Sequence, residues 1–364
     1  MDNIQDSGYC FSFPAVRGTQ AGRPFYIATC PLRTIPKIFV FDEEEVPPEL
    51  RAQRTLNKSR IPAMVKYLVD NPNDYVFSAL TVSVDSSVTF EDSGADNTPN
   101  LGTLKVPLDA QILINDGQHR RKAIELALKE NPDLGADNIP VLFFVDEGQT
   151  RSQQMFVDLN KYAVKPSTSL SDCYDKRDPS SEVARHLSKN VLPFKGFTEM
   201  EKSNISSKSG KLFTLSGIKQ ATRSLMGKGP KDSYTDEELK LATDYWSKIY
   251  ENTPEWQMVC NKELSPFQFR QDYIHAHGIG LHALGAMGHT LLTEQPNQWR
   301  TTLKELEKID WRKSNTALAS RCINQQGRLS KATINIQLVA NALKTELGLT
   351  LSPEERALEL QVKK

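Results

Sequence analysis

No stretch of this sequence approaches the roughly 20 consecutive apolar residues of a membrane-spanning helix, so no membrane partner is expected. Net charge is missing too. The 45 Lys and Arg residues balance 45 Asp and Glu, so global charge gives no reason to expect nucleic acid. Any such case must rest on local asymmetry. The five cysteines (Cys10, Cys30, Cys173, Cys260, Cys322) form no CxxC pair and no zinc-like spacing with the six histidines, so no metal site is expected from them. The first residues, Met-Asp-Asn-Ile-Gln-Asp, are acidic and polar, unlike a secretion signal. These absences describe a soluble cytoplasmic protein with reduced thiols. Cys30, beside Pro31 and near Arg33, is either a perturbed thiolate or, the reading favoured here, a buried small apolar residue. What remains is 364 residues, enough to bury a good core in one large or two ordinary domains.

The chain is organised around residues 110–124. Ile112 to Ile114 has the length and β-branching of a short buried strand. Asn115-Asp116-Gly117 is a turn signal in which Gly117 takes a positive φ at no steric cost. Residues 118–130 carry helix formers, with Ala123, Ile124, Ala127 and Leu128 on one face. Strand, tight turn and helix follow in that order. Gln118, His119, Arg120 and Arg121 then occupy a first helical turn whose free amides and dipole favour an anion. Three potential cations there oppose the dipole, which makes sense if a phosphate sits among them. The alternative is that Asp116 caps the helix and the arginines pair with carboxylates elsewhere.

Residues Asp116 to Arg120 spell DGQHR, and the chain resembles the DGQHR-domain proteins. More specifically, it is similar to the B-protein family of the bacterial Dnd system, which regulates DNA phosphorothioate (sulfur) modification. The further matches are Asn57–Leu68 (NKSRIPAMVKYL), Phe156–Leu170 (FVDLNKYAVKPSTSL) and Lys211–Leu215 (KLFTL), which span most of the chain. The resemblance implies a ParB-like α/β core and a DNA-binding transcriptional repressor acting on dnd promoters. It implies no well-defined reaction.

Along the chain, alternating patterns at Tyr9–Phe13, Phe25–Thr29 and Ile38–Phe41 read as early strands. Asp42 to Glu49 is an acidic connection. Residues 51–66 then hold Arg51, Arg54, Lys58, Arg60 and Lys66 without an acid, either as a solvated face or as a phosphate contact. Ser59 is placed to cap a helix with Pro62 in its first turn, ending at Asn71-Pro72. Val76–Val84 and Ile139–Val145 read as strands, residues 85–100 as a polar surface loop, and Thr150–Asn160 as a helix. The expectation is an α/β DGQHR-containing domain over residues 1–165, followed by a mainly helical domain over 166–364. In the latter, helices are expected at 169–189, 214–226, 235–252, 264–276, 278–293 and 330–347. The Gly- and Ala-rich stretch near Gly278–Gly288 reads as close helix packing, and His275, His277, His282 and His289 as core or interface residues rather than ligands.

The sharpest charge asymmetry is residues 202–231, with Lys202, Lys208, Lys211, Lys219, Arg223, Lys228 and Lys231 and no acid. A further basic stretch carries Arg312, Lys313, Arg321, Arg328 and Lys331. Local patches of this kind are what a phosphate-backbone surface requires. The expected contacts to phosphate or double-stranded DNA, taken as the dnd promoter, are Gly117, Gln118, His119, Arg120, Arg121, Lys58, Arg60, Lys208, Lys211, Lys219 and Arg223. No helix-turn-helix with a defined recognition helix is evident. The alternative is a nucleotide hydrolase or nuclease in which Asp116 and His119 supply metal binding or acid–base chemistry and Arg120 stabilises charge. For that alternative a nucleotide or divalent metal stays open as cofactor; the repressor reading needs none. An adaptor binding other Dnd proteins, and a homo-oligomer, also stay open.

Overall fold

The computed structural model describes residues 9–39, 57–94, 98–145, 159, 166–206, 208–324 and 327–362. The chain divides into two units, Met1–Val164 and Lys165–Lys364.

The first unit is built on a seven-stranded sheet. Its strands are β1 (Cys10–Gln20), β2 (Arg23–Pro31), β3 (Leu80–Val84), β4 (Thr89–Asp92), β5 (Leu101–Pro107), β6 (Ile112–Asp116) and β7 (Asn138–Val145). They lie in the order β4-β5-β1-β2-β7-β3-β6. All pairings are antiparallel except β3 with β7. Among the described residues three helices accompany the sheet: α1 (Ile35–Ile38), α2 (Ile61–Asp70) and α3 (Gln118–Glu130), with α2 packed on α3. All five residues of β3 are buried, which accounts for its Val- and Leu-rich composition between two neighbours. Around it Val82, Ile114, Val141 and Phe143 form one core with Leu68 of α2 and Ile124 of α3.

Several expectations shift here. Ile38 closes a one-turn helix rather than opening a strand. Pro36 sits in its first turn, and Ile35 and Phe39, four apart, are both buried. Phe41 lies outside the described residues, as does Thr150–Asn160 apart from Leu159. The strand expected at Val76–Val84 begins only at Leu80, because side chains claim the earlier backbone. The Val76 amide donates to the Tyr67 hydroxyl (2.9 Å) and the Ala79 carbonyl accepts from Arg120 (2.9 Å). The polar stretch 85–100 contains β4, where Phe90 packs on Tyr26 of β2 with ring centroids 5.6 Å apart. Asn57, not Ser59, is the local cap: its side-chain oxygen accepts from the Ser59 amide (3.2 Å) at the start of a 3₁₀ turn leading into α2.

The second unit is helical: α4 (Thr168–Tyr174), α5 (Pro179–Asn190), α6 (Leu215–Met226), α7 (Asp236–Glu251), α8 (Pro254–Cys260), α9 (Pro266–Asp272), α10 (Gly278–Glu294), α11 (Trp299–Thr302), α12 (Thr316–Cys322), α13 (Thr333–Glu346) and α14 (Pro353–Val362). A two-stranded pair, β8 (Thr198–Glu199) with β9 (Phe213–Thr214), accompanies them. Trp246, Trp256, Trp299 and Trp311 are all buried in its core. Helix ends follow the local code. Thr214 accepts from the Gly217 amide at the start of α6, and Thr235 and Glu238 form a capping box on α7. The stretch 169–189 is two helices, because Asp178 caps a second start with Pro179 in its first turn. In α10 a Cβ on Gly285 would lie 2.3 Å from the Ala221 carbonyl oxygen, so its hydrogen alone permits the close approach to α6.

Residues 273–277 are not helical and α10 begins at Gly278, so His275 is not on one stripe with His282 and His289. His275 is fully buried, with its ring centroid 4.6 Å from that of Trp311 and its Nε2 3.4 Å from Glu255. Burial lowers its pKa despite Glu255, and burial lowers His277 and His282 to about 4.

Two expected outcomes follow from this packing. The unfolded chain takes up histidine protons near pH 6.5, whereas His277 and His282 in the folded chain resist them until about pH 4. Stability is therefore full above the unfolded value and falls as pH drops from about 6.5 towards 4, by on the order of 1 kcal/mol or more per histidine. Urea midpoints across that range measure the slope, and His282→Gln should flatten it. In the first unit Gly117 has φ +112°, and a Cβ there would lie 2.4 Å from Leu80 Cδ2. Gly117→Val is expected to cost at least about 1–3 kcal/mol, read by denaturant unfolding.

Candidate nucleic-acid interface

The DGQHR residues sit where β6 passes into α3. A bulge in the β3–β6 ladder, between Thr81 and Val82, leaves Asn115 as the extra residue. Asn115 is fully buried and its Nδ2 donates to Ser83 Oγ (3.1 Å). Asp116 ends β6 and Gly117 occupies the cap position of α3 without a side-chain capping bond. Asp116 instead accepts from Arg120 Nη2 at 2.7 Å, one helical turn on. The same guanidinium reaches the Ala79 carbonyl just before β3. Gln118 is buried and its amide nitrogen donates back to the Ile114 carbonyl (3.1 Å). Arg121 donates to the carbonyls of Phe39 (2.9 Å) and Pro36 (3.0 Å), and pairs with Glu125. Burial would raise the Glu125 carboxyl, but Lys122 and Arg121 outweigh it and hold it below the usual range.

This turn therefore ties four segments together. His119 adds a further tie, its Nε2 accepting the backbone N–H of Asn57 at 2.9 Å. An imidazole nitrogen that accepts a hydrogen bond carries no proton there. The bond holds Asn57 and the following Lys58-Ser59-Arg60 turn beside the start of α3. Lys58, Arg60 and Lys66 are exposed, while Arg51 and Arg54 lie outside the described residues.

In the second unit the basic stretch 202–231 separates into two groups. Lys202, Lys208 and Lys231 are exposed. The others are drawn into the fold. Lys211 donates to the Gly196 carbonyl (2.9 Å) and Lys228 pairs with Glu238 (2.6 Å). Lys219 meets Asp172 at 2.6 Å and also Asp178, joining α6 to α4 and the cap of α5. Burial works against the Lys219 ammonium, yet the two carboxylates more than offset it and raise its pKa. Arg223 is half-buried, and among the described residues its Nε has no partner. Of the last basic stretch, Arg321 pairs with Glu359 at 2.6 Å and Lys313 donates to the Arg270 carbonyl at 2.6 Å, whereas Arg312 and Arg328 are exposed. The acids that take these charges, Asp172, Asp178, Glu238 and Glu359, lie outside the sequence windows that defined the basic runs.

The turn brings Asp116, His119 and Arg120 together, each already engaged within its own unit. Among the described residues no three His, Cys, Asp or Glu side chains gather as a metal-holding group. Cys30 is fully buried, and burial pushes its thiol up to about 12, as expected of a small apolar core residue. No helix among the described residues is long and apolar enough to cross a membrane.

A comparison with curated proteins finds no match, and none is found among solved structures. A family model does match. It is the DndB model, described as DNA-sulfur modification-associated, and it covers residues 13–350, including the DGQHR turn and both units. The chain belongs to the DndB family of DNA-sulfur modification-associated proteins.

Proposed function

We propose that this protein is a DNA-binding transcriptional repressor of the dnd operon, within the DNA sulfur modification system to which its family belongs. The observation that carries the reading is the pairing of the exposed Lys58–Arg60 turn with the start of α3 through the His119–Asn57 bond. That helix start has no side-chain cap, and amides at such an end favour a phosphate oxygen. In this reading Gly117 gives the turn its shape. Gln118, Arg120 and Arg121 brace it, and Lys58 and Arg60 meet the DNA backbone. Lys202 and Lys208 supply further backbone contacts from the second unit, while Lys211, Lys219 and Arg223 support the segment that carries them. Double-stranded DNA is the partner, and neither metal nor nucleotide is required for it.

The direct test is a salt titration of binding to dnd promoter DNA and to random DNA. Replacing Lys58, Arg60 and Lys208 together by Ala should weaken both. The slope of log K against log salt should shrink by roughly 0.9 for each phosphate that the variant no longer neutralises. An unchanged slope in a folded variant would remove these residues from the interface.

Asp116→Asn separates a brace from a reacting group. Loss of the Arg120 ion pair, whose carboxylate is 42% exposed, should cost no more than about 1 kcal/mol of stability while DNA affinity is retained. Wild-type melting combined with lost hydrolysis of nucleotide or DNA would instead make Asp116 part of an active site.

A further inference from the structure

The second unit contains a cavity of about 670 Å³ that the DNA-binding reading does not use. Its size lies within the ~300–1,000 Å³ typical of small-molecule sites. Its walls come from the Lys211–Leu215 segment and the start of α6, from α9, from the start of α10 and from the start of α13. Arg270, His277, His282 and Lys331 line it, and among the described residues no Asp or Glu does.

Arg270 is only 8% exposed. Its guanidinium holds the carbonyls of Ser209 and Lys211, which fixes the loop leading into the KLFTL segment. His277 Nε2 donates to the Arg270 carbonyl (2.9 Å), and Lys313 donates to the same oxygen. His282 Nε2 is buried, and among the described residues it has no hydrogen-bond partner. Lys331 Nζ lies so close over the first residue of α10 that a Cβ on Gly278 would be 2.9 Å from it. An ammonium at a helix N-terminus meets a dipole of its own sign, and α10 is 17 residues long with no side-chain cap. Lys331 is exposed, whereas burial lowers the pKa of Arg270 and brings His277 and His282 to about 4. The two imidazoles are therefore neutral near pH 7, and an anion seated at this helix start would meet the Lys331 ammonium, the helix amides and a neutral imidazole donor. The remaining lining includes Phe213, Phe267 and Ile336, apolar surface that suits a flat ring.

We propose that this cavity binds a small phosphate ester of mononucleotide size, its phosphate at Lys331, His282 and the start of α10. A concave site of this volume takes a terminal phosphate with one attached ring rather than a continuous duplex. None of the residues proposed above as DNA contacts lines the cavity, although Ser203, Asn204 and Ile205, between Lys202 and Lys208, do.

The test is titration calorimetry on the full chain with a panel of nucleoside monophosphates, the matching uncharged nucleosides, and inorganic phosphate. At least one monophosphate should bind with a Kd below about 1 mM, a weak but specific affinity. Its nucleoside and inorganic phosphate should each bind at least about tenfold more weakly. Lys331→Met should weaken the monophosphate about tenfold or more. Gly278→Ala should do the same without removing any charge, because the new methyl displaces the ammonium while alanine favours the helix. Thermal melts confirm that both variants fold. The proposal is overturned if no monophosphate binds, or if nucleoside or inorganic phosphate binds as tightly as the ester. It also fails if neither variant changes the affinity. Loss of duplex binding in Lys331→Met, with no monophosphate bound by the wild type, would assign the cavity to DNA and overturn it as well.

Discussion

A cation removed from water must be given oxygen atoms, and much of this structure is arranged to satisfy that requirement. Arg120 and Arg121 do not crowd the start of α3 as bare charges. Each spans from the helix to a carboxylate and to carbonyls of other segments, so the turn becomes the joint of the first unit. Lys219 plays the corresponding part in the second unit by drawing α4, α5 and α6 together through two aspartates. Arg185, which donates to the carbonyls of Asp172 and Asp175, reinforces the same corner. The bases that remain exposed are what is left over once the fold has taken its share.

That division explains what could be read in advance. Helix starts at Thr214, Thr235 and Gly117 were legible because a cap or a positive φ is decided by residues one to four apart. An α/β sheet core followed by helices was legible from the change in apolar period, but the mixed, mainly antiparallel pairing was not. The partners of Lys219 were not, since Asp172 and Asp178 stand 47 and 41 residues away. A charge run counted in a window registers its own sign but not the acids that fold onto it. β4 was missed for a related reason. Thr89–Asp92 looks like a polar loop until β5 supplies its hydrogen bonds and Tyr26 a surface for Phe90.

At the candidate site the strand, turn and helix were legible, but not what the side chains hold. The sequence pointed to residues 116–121, and the fold brings Asn57 beside them by a bond spanning 62 residues. Yet an arginine at a helix start reads alike whether it awaits a phosphate or holds a carbonyl. Only its partners distinguish the two, and Ala79, Pro36 and Phe39 are not local to α3. The cavity of the second unit was likewise invisible, because Arg270, His282 and Lys331 are scattered along more than sixty positions with nothing in the spacing to join them.

The glycine contact between α6 and α10 has a mechanical consequence. With Gly285 pressed against the Ala221 backbone, the two helices cannot slide past each other without collision, because there is no side chain between them to change rotamer. Both contribute walls to the cavity, α6 through Gly217 and Gln220, α10 through Leu281 and His282. The two helices therefore meet the cavity in one fixed relative position, whereas Asn204, Ile205 and Lys331 reach it from segments outside that glycine contact. A ligand of the proposed kind would have to match the helix pair as it stands.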